Sequence, residues 1–294
     1  MDRSTAGWAS GFAGILIFSG SLPATRVAVM AFDPVFLTMA RASIAGLLGL
    51  GLLLLFRERR PARADLPSLA VVSLGVVIGF PLLTALALRH VTSAHSIVFL
   101  GLLPLATAAF GALRGGERPR AAFWVFSCLG SASVAGFALS QGGAGSVGGD
   151  MTMLAAIVVC GLGYAEGATL SRRLGGWQVI SWALALSLPV TLAAALWLAP
   201  PSFAGVGAPA WGGLAYVSLF SMLIGFVFWY RGLALGGIAA VGQLQLLQPF
   251  FGLAIAAALL GEPVSPGMTA TALAVVLCVF GAKRFSAQPA SRQA

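Results

Sequence analysis

Few side chains in this 294-residue chain can do chemistry, because only 9% of them are charged. Glu166 is the one carboxylate inside an apolar run. It can hold a cationic group or take up and release a proton, or it can pair with Arg172 or Arg173 one or two turns further on. Arg41 also stands inside an apolar run. It can bind a carboxylate, although pairing with Asp33 or with backbone carbonyls is the reading the sequence favours. His95, with Ser96 beside it and Phe99 on the same helical face, is either a hydrogen-bonded helix-end group or a ligand. Gln245 and Gln248 are three apart, hence on one face, just before Pro249. Two amides in apolar surroundings need polar partners, which a water-filled cavity supplies. Ser21, Phe80, Thr84, Tyr164, Phe226, Trp229 and Tyr230 gather around Pro23, Pro81, Pro104 and Pro249, and proline frees carbonyls and kinks helices. An aromatic cavity with scattered amides and hydroxyls suits a zwitterion with a large apolar side chain. The candidate substrate-binding set is therefore Ser21, Phe80, Thr84, His95, Phe99, Tyr164, Glu166, Trp229, Tyr230, Gln245 and Gln248. Trp229 and Tyr230 lie at the end of an apolar run, where interfacial aromatic residues also occur.

Other chemistries lack their constellations. No GxxxxGK[ST] phosphate-binding loop, no HExxH and no catalytic pairing of Asp, Ser or His inside an apolar run is present. Cys128, Cys160 and Cys278 have no CxxC or Cys/His spacing, so they read as packed or lipid-facing thiols. The expectation is a protein that is not an enzyme and uses no metal and no cofactor.

The elements that must position these residues follow from composition. A chain that is 59% hydrophobic with a mean hydropathy of +0.96 has too little polar surface to cover an interior in water. Lipid is therefore its solvent. Apolar runs about 20 residues long span a bilayer, and they fall near residues 7–29, 34–56, 66–88, 94–113, 121–140, 151–171, 177–199, 211–230, 238–260 and 265–282. The first is too long for the apolar core of a signal peptide. This predicts an all-α polytopic membrane protein of ten transmembrane helices. The 38 glycines, lying inside apolar runs, suit helices that pack closely in lipid.

The net charge of +9 reads as topology rather than nucleic-acid binding. Fourteen of the 17 Lys and Arg residues fall on one side of these spans: Arg3, Arg57, Arg59, Arg60, Arg63, Arg114, Arg118, Arg120, Arg172, Arg173, Arg231, Lys283, Arg284 and Arg292. The positive-inside rule makes that side cytoplasmic, with both termini in. The expected surroundings are the lipid bilayer, the inner (plasma) membrane of a bacterium, and a small-molecule substrate. Nothing in the sequence requires a protein partner.

An internal repeat organises the spans. Leu88, Pro104, Gly116 and Glu117 shift by 145 positions onto Leu233, Pro249, Gly261 and Glu262. Each half, 1–145 and 146–294, then holds five spans, and an odd number inverts the second copy in the membrane. Inverted repeats are a mark of secondary transporters that bind substrate where the halves meet and alternate access to it. Spans three, four, eight and nine should form most of the cavity walls, since the repeat is best preserved there.

The pattern Pro104…Gly116-Glu117, repeated as Pro249…Gly261-Glu262, together with Arg41 in the second span, resembles the EamA-type branch of the drug/metabolite transporter superfamily. The resemblance covers residues 7–283 and implies an exporter of small metabolites, with a looser similarity to the aromatic amino-acid exporters. Export of cationic drugs, with Glu166 as counter-ion, is the alternative, and a channel is the more distant one. No arginine matches Arg41 in the seventh span, so its role is not a symmetric one.

Overall fold

The structure is a computed structural model that describes residues 2–87, 99–140, 146–260 and 266–286. These residues form helices and connecting turns, with no strand among them. The helices are α1 (Arg3–Val29), α2 (Pro34–Leu55), α3 (Arg63–Ala87), α4 (Leu103–Arg114), α5 (Ala121–Ser140), α6 (Val147–Leu174), α7 (Gly176–Trp197), α8 (Ala208–Gly236), α9 (238–260) and α10 (Pro266–Phe285). Six of them, α1, α2, α3, α6, α7 and α8, are long and apolar enough to cross a membrane. Large apolar side chains stand outward, among them Leu55, Leu277, Phe280 and Trp197 at 88% exposure, as lipid-facing surface requires and as water would penalise.

Helix boundaries follow local chemistry. Asp33 caps α2 by accepting from Val35 N at 2.8 Å and Phe36 N at 3.1 Å, with Pro34 at the first helical position. The α1 helix breaks at Gly20, three residues before Pro23, and the carbonyls exposed by the break are taken up from elsewhere. Tyr216 Oη donates to Ile17 O at 2.7 Å, and Gln248 Nε2 to Phe18 O at 3.5 Å. Wider π-type turns occupy Ser73–Gly79 within α3 and Val217–Ile224 within α8. In α3 such a turn ends beside Pro81, whose ring cannot accept an ordinary helical turn before it.

The helix pairs run antiparallel. On α1, Gly7, Gly14 and Phe18 meet Gly236, Trp229 and Gly225 of α8, and on α3 Asp65 and Gly75 meet Arg173 and Gly163 of α6. Likewise Gly46 and Gly49 of α2 face Leu184 and Ser181 of α7, while Phe126 and Gly130 of α5 face Gly281 and Cys278 of α10. Glycine is required where backbones touch: a Cβ on Gly14 would lie 3.1 Å from Trp229 N, and one on Gly75 only 2.5 Å from Val159 O.

Candidate functional site

The close α1–α8 and α3–α6 pairings hold four helices around a cavity of about 310 Å³, which α2, Leu103 of α4 and Gln248 of α9 complete. It reaches from Val29 and Pro34, at the α1–α2 turn, inward to Tyr164 and Gln248. Ser21, Phe80, Thr84, Tyr164 and Gln248 of the expected set line it. Phe18, Tyr164 and Phe226 form an aromatic floor, with ring centroids 5.1 Å apart for Phe18–Phe226 and 5.9 Å for Tyr164–Phe226.

Other expected residues sit elsewhere. Trp229 and Tyr230 are fully buried behind that floor, packed on Phe18, Tyr164 and Phe226 rather than at a membrane interface. Tyr230 Oη donates to Gly163 O at 3.2 Å. Gln245 is buried between α4 and α9, where its Nε2 donates to Thr107 Oγ1 at 3.2 Å and to Gly242 O at 3.0 Å. Phe99 packs against the core near Ala87 and Met153, and His95 lies outside the described residues. Glu166 pairs with Arg114 of α4 and lines no part of the cavity. Neither Arg172 nor Arg173 takes it, because both have other partners: Arg172 bonds Glu117 at 2.9 Å and Arg173 pairs with Asp65.

The cavity walls also depart from expectation. α1 and α2 contribute more than α4 and α9, because the break at Gly20 and the capped start of α2 carry Ser21, Thr25, Thr38 and Arg41 onto the cavity. Arg41 joins the site from outside the expected set. Its NH2 donates to Ser221 Oγ at 3.3 Å, and Ser221 Oγ in turn accepts from Ser21 Oγ at 2.8 Å. No ion pair links Arg41 to a carboxylate among the described residues. The repeat itself was the signal for the second-half walls. Val76, Pro81 and Leu103 line the cavity, and a shift of 145 carries them to Ser221, Phe226 and Gln248, which line it too.

The basic helix ends form a separate ionic cluster. Glu117, buried, accepts from Ile238 N and Ala239 N at 2.7 Å each and so caps the first turn of α9. Gly116 at φ +67° and Gly237 at φ +95° make the turns that bring carboxylate and helix end together. A surface depression of about 490 Å³ lies at this end, beside Arg3, Arg172 and Arg231, and holds no residue of the expected set. Gly261 and Glu262, the repeat mates of Gly116 and Glu117, lie outside the described residues.

The EamA-like transporter family matches residues 5–139 and, a second time, residues 147–283. An uncharacterized transporter of Bacillus subtilis (strain 168), YdeK, is 68% identical over 97% of this chain and 100% of its own. A probable terminal-alkyne amino-acid exporter of Streptantibioticus cattleyicolor is 26% identical over 90% of this chain and 89% of its own. One protein crystal structure superposes with a TM-score of 0.80 over 96% of this chain and 99% of that one at 20% identity, a likeness of fold.

Proposed function

This chain belongs to the EamA-like transporter family, a multi-pass integral membrane protein of the bacterial plasma membrane, and from that membership we propose that it exports small amphipathic metabolites by alternating access. Amino acids are the substrate class, aromatic ones preferred. The observation that carries this reading is the cavity itself. It lies between the repeats, close to the lower end of the roughly 300–1,000 Å³ range of small-molecule sites, and sets the aromatic floor of Phe18, Tyr164 and Phe226 against the hydroxyls of Ser21, Thr84 and Ser221. A relative named as an amino-acid exporter supports the class.

The architecture behind this is ten spans in two inverted halves, 1–145 and 146–294, with both termini cytoplasmic. The touching repeat mates support inversion. An axis in the membrane plane turns a helix over, so α2 and α7, or α5 and α10, must meet antiparallel, as they do; an axis along the membrane normal would leave them parallel. The ionic cluster ties the basic end together while the cavity extends to the α1–α2 turn at the other, which supports an outward-facing reading with the basic end cytoplasmic. The cationic-drug alternative loses its counter-ion, because Glu166 is turned to Arg114.

Proteoliposomes given labelled phenylalanine, tyrosine or tryptophan test the substrate. Saturable uptake that unlabelled substrate accelerates by counterflow is expected, and no flux of any amino acid overturns the reading. Engineered cysteines at positions 117 and 262 test the topology. They should label from opposite sides, and labelling from one side rejects inversion.

A further inference from the structure

The proposed site contains one charged side chain, and its sign specifies which part of a ligand is held. Arg41 is the only Lys, Arg, Asp or Glu among the described residues lining the cavity. Its Nε is buried with no hydrogen-bond partner, and Thr84 Oγ1, on α3 and also lining the cavity, is likewise buried and unpartnered. A guanidinium presents five donors in a planar fork, of which NH2 meets Ser221 Oγ at 3.3 Å. An unpaired charge in low dielectric strongly attracts an opposite one. Ser21 and Ser221 tie the fork to α1 and to the π-type turn of α8, holding it in place from both halves of the chain.

We propose that Arg41 is a carboxylate anchor, and that the carboxylate rather than the ammonium is what this carrier recognises. The inference rests on the cavity being the substrate site. An anion at Arg41 takes donors of the fork that Ser221 leaves unfilled, the Thr84 hydroxyl is available on α3 for a second polar group, and the apolar body rests on Phe18, Phe80 and Phe226. Among the described lining residues an ammonium meets only neutral acceptors: the hydroxyls of Ser21, Thr25, Thr38, Thr84, Tyr164 and Ser221 and the amide oxygen of Gln248. The ligand class therefore widens from amino acids to aromatic and apolar carboxylic acids without an amino group, and excludes amines without a carboxylate.

Purified full-length protein in nanodiscs, its thermal unfolding followed with L-phenylalanine, 3-phenylpropionate or phenethylamine, decides this. Phenylalanine and 3-phenylpropionate should raise the unfolding midpoint and phenethylamine should not. R41Q should weaken both acids about 30-fold or more, the scale of losing one partner of a buried charge pair. Stabilisation by the amine and not by the acid overturns the anchor with wild-type protein alone, so R41Q need not fold for the test to be decisive. If no aromatic probe binds, the aromatic preference fails and hexanoate against hexylamine tests the anchor separately. Stabilisation by hexanoate alone upholds it, and silence from both removes it.

Discussion

Replacing Glu117 with Gln should loosen the basic end of the protein, and the structure sets the scale. Glu117 uses both carboxylate oxygens, Oε1 on Ile238 N and Oε2 on Ala239 N, each at 2.7 Å. Glutamine keeps one acceptor oxygen, so one charge-assisted bond is lost, about 1.5–3 kcal/mol. The negative charge at the start of α9 goes too, about 0.3–1 kcal/mol. The ion pair to Arg172 adds under about 1 kcal/mol, since the Arg172 side chain is 29% exposed and partly screened. The total is about 2–5 kcal/mol. Because the contact joins the first half of the chain to α9, that energy weighs on the state in which this end is closed. At about 1.4 kcal/mol per tenfold it shifts the population at least roughly 30-fold toward opening. The assay is maleimide labelling, from the side of the basic helix ends, of a single cysteine in place of Thr107, which is fully buried between α4 and α9, with the native cysteines replaced. E117Q should label much faster and unfold at lower temperature, and R172Q should do both more weakly. Unchanged labelling together with an unchanged midpoint in E117Q refutes the cap as the closing contact, and a larger effect from R172Q transfers the role to the ion pair.

Two further outcomes follow from the packing and the charges. G75L should cost at least about 1–3 kcal/mol, since even a Cβ there would lie 2.5 Å from Val159 O. G51A, on an exposed face with nothing within 4 Å, should hold or slightly raise the midpoint, and equal effects in detergent unfolding would refute the α3–α6 contact. Glu166 is committed to Arg114, so transport should run down the substrate gradient and E166Q should preserve it. Substrate accumulation driven by a pH gradient alone in wild-type liposomes, and abolished in E166Q, would instead make Glu166 a proton carrier.

How much of this was legible depends on the range of the interaction. The positions of the six helices long enough to span were, because lipid demands long apolar runs and the breaks carry local chemistry: Asp33-Pro34 starts α2 at the expected residue. The repeat offset was legible too, and it reaches the cavity through Val76 and Ser221. Partners of charged groups were not. Glu166 has Arg172 and Arg173 nearby in sequence, yet Arg114, 52 positions away, takes it. The sequence favours Asp33 or backbone carbonyls for Arg41, but Asp33 is engaged in the cap on Val35 and Phe36, and Ser221, 180 positions away, takes Arg41. Periodicity says which residues share a helix face, not which neighbour that face meets. Trp229 and Tyr230 went to the core for the same reason: Gly14 lets α1 approach the Trp229 backbone closely, and the bare Gly167 leaves room for the Tyr230 ring.

The one-sided anchor has a kinetic consequence for the transport cycle. Under the proposed alternating access, the cavity closes at the α1–α2 end before the basic end opens, and during that passage Arg41, half-buried in the open cavity, loses the water that remains around it. With a carboxylate bound, the guanidinium is paired and the passage is open to it. Empty, the cavity offers it Ser221 and no anion among its lining residues, and sealing an unpaired cation costs several kcal/mol. No arginine stands at the mate position, Leu186, to share or mirror that charge. The empty carrier should therefore reorient more slowly than the loaded one, so exchange should outrun net flux by about tenfold or more for each ~1.4 kcal/mol of the difference. Counterflow and zero-trans efflux, measured on the same proteoliposomes, give the ratio. R41Q should bring it toward one by removing the cost from the empty state while weakening substrate binding. A wild-type ratio already near one, in protein that binds carboxylates, would mean that the empty guanidinium finds another counter-charge as the cavity closes, and the reasoning from its isolation would fall.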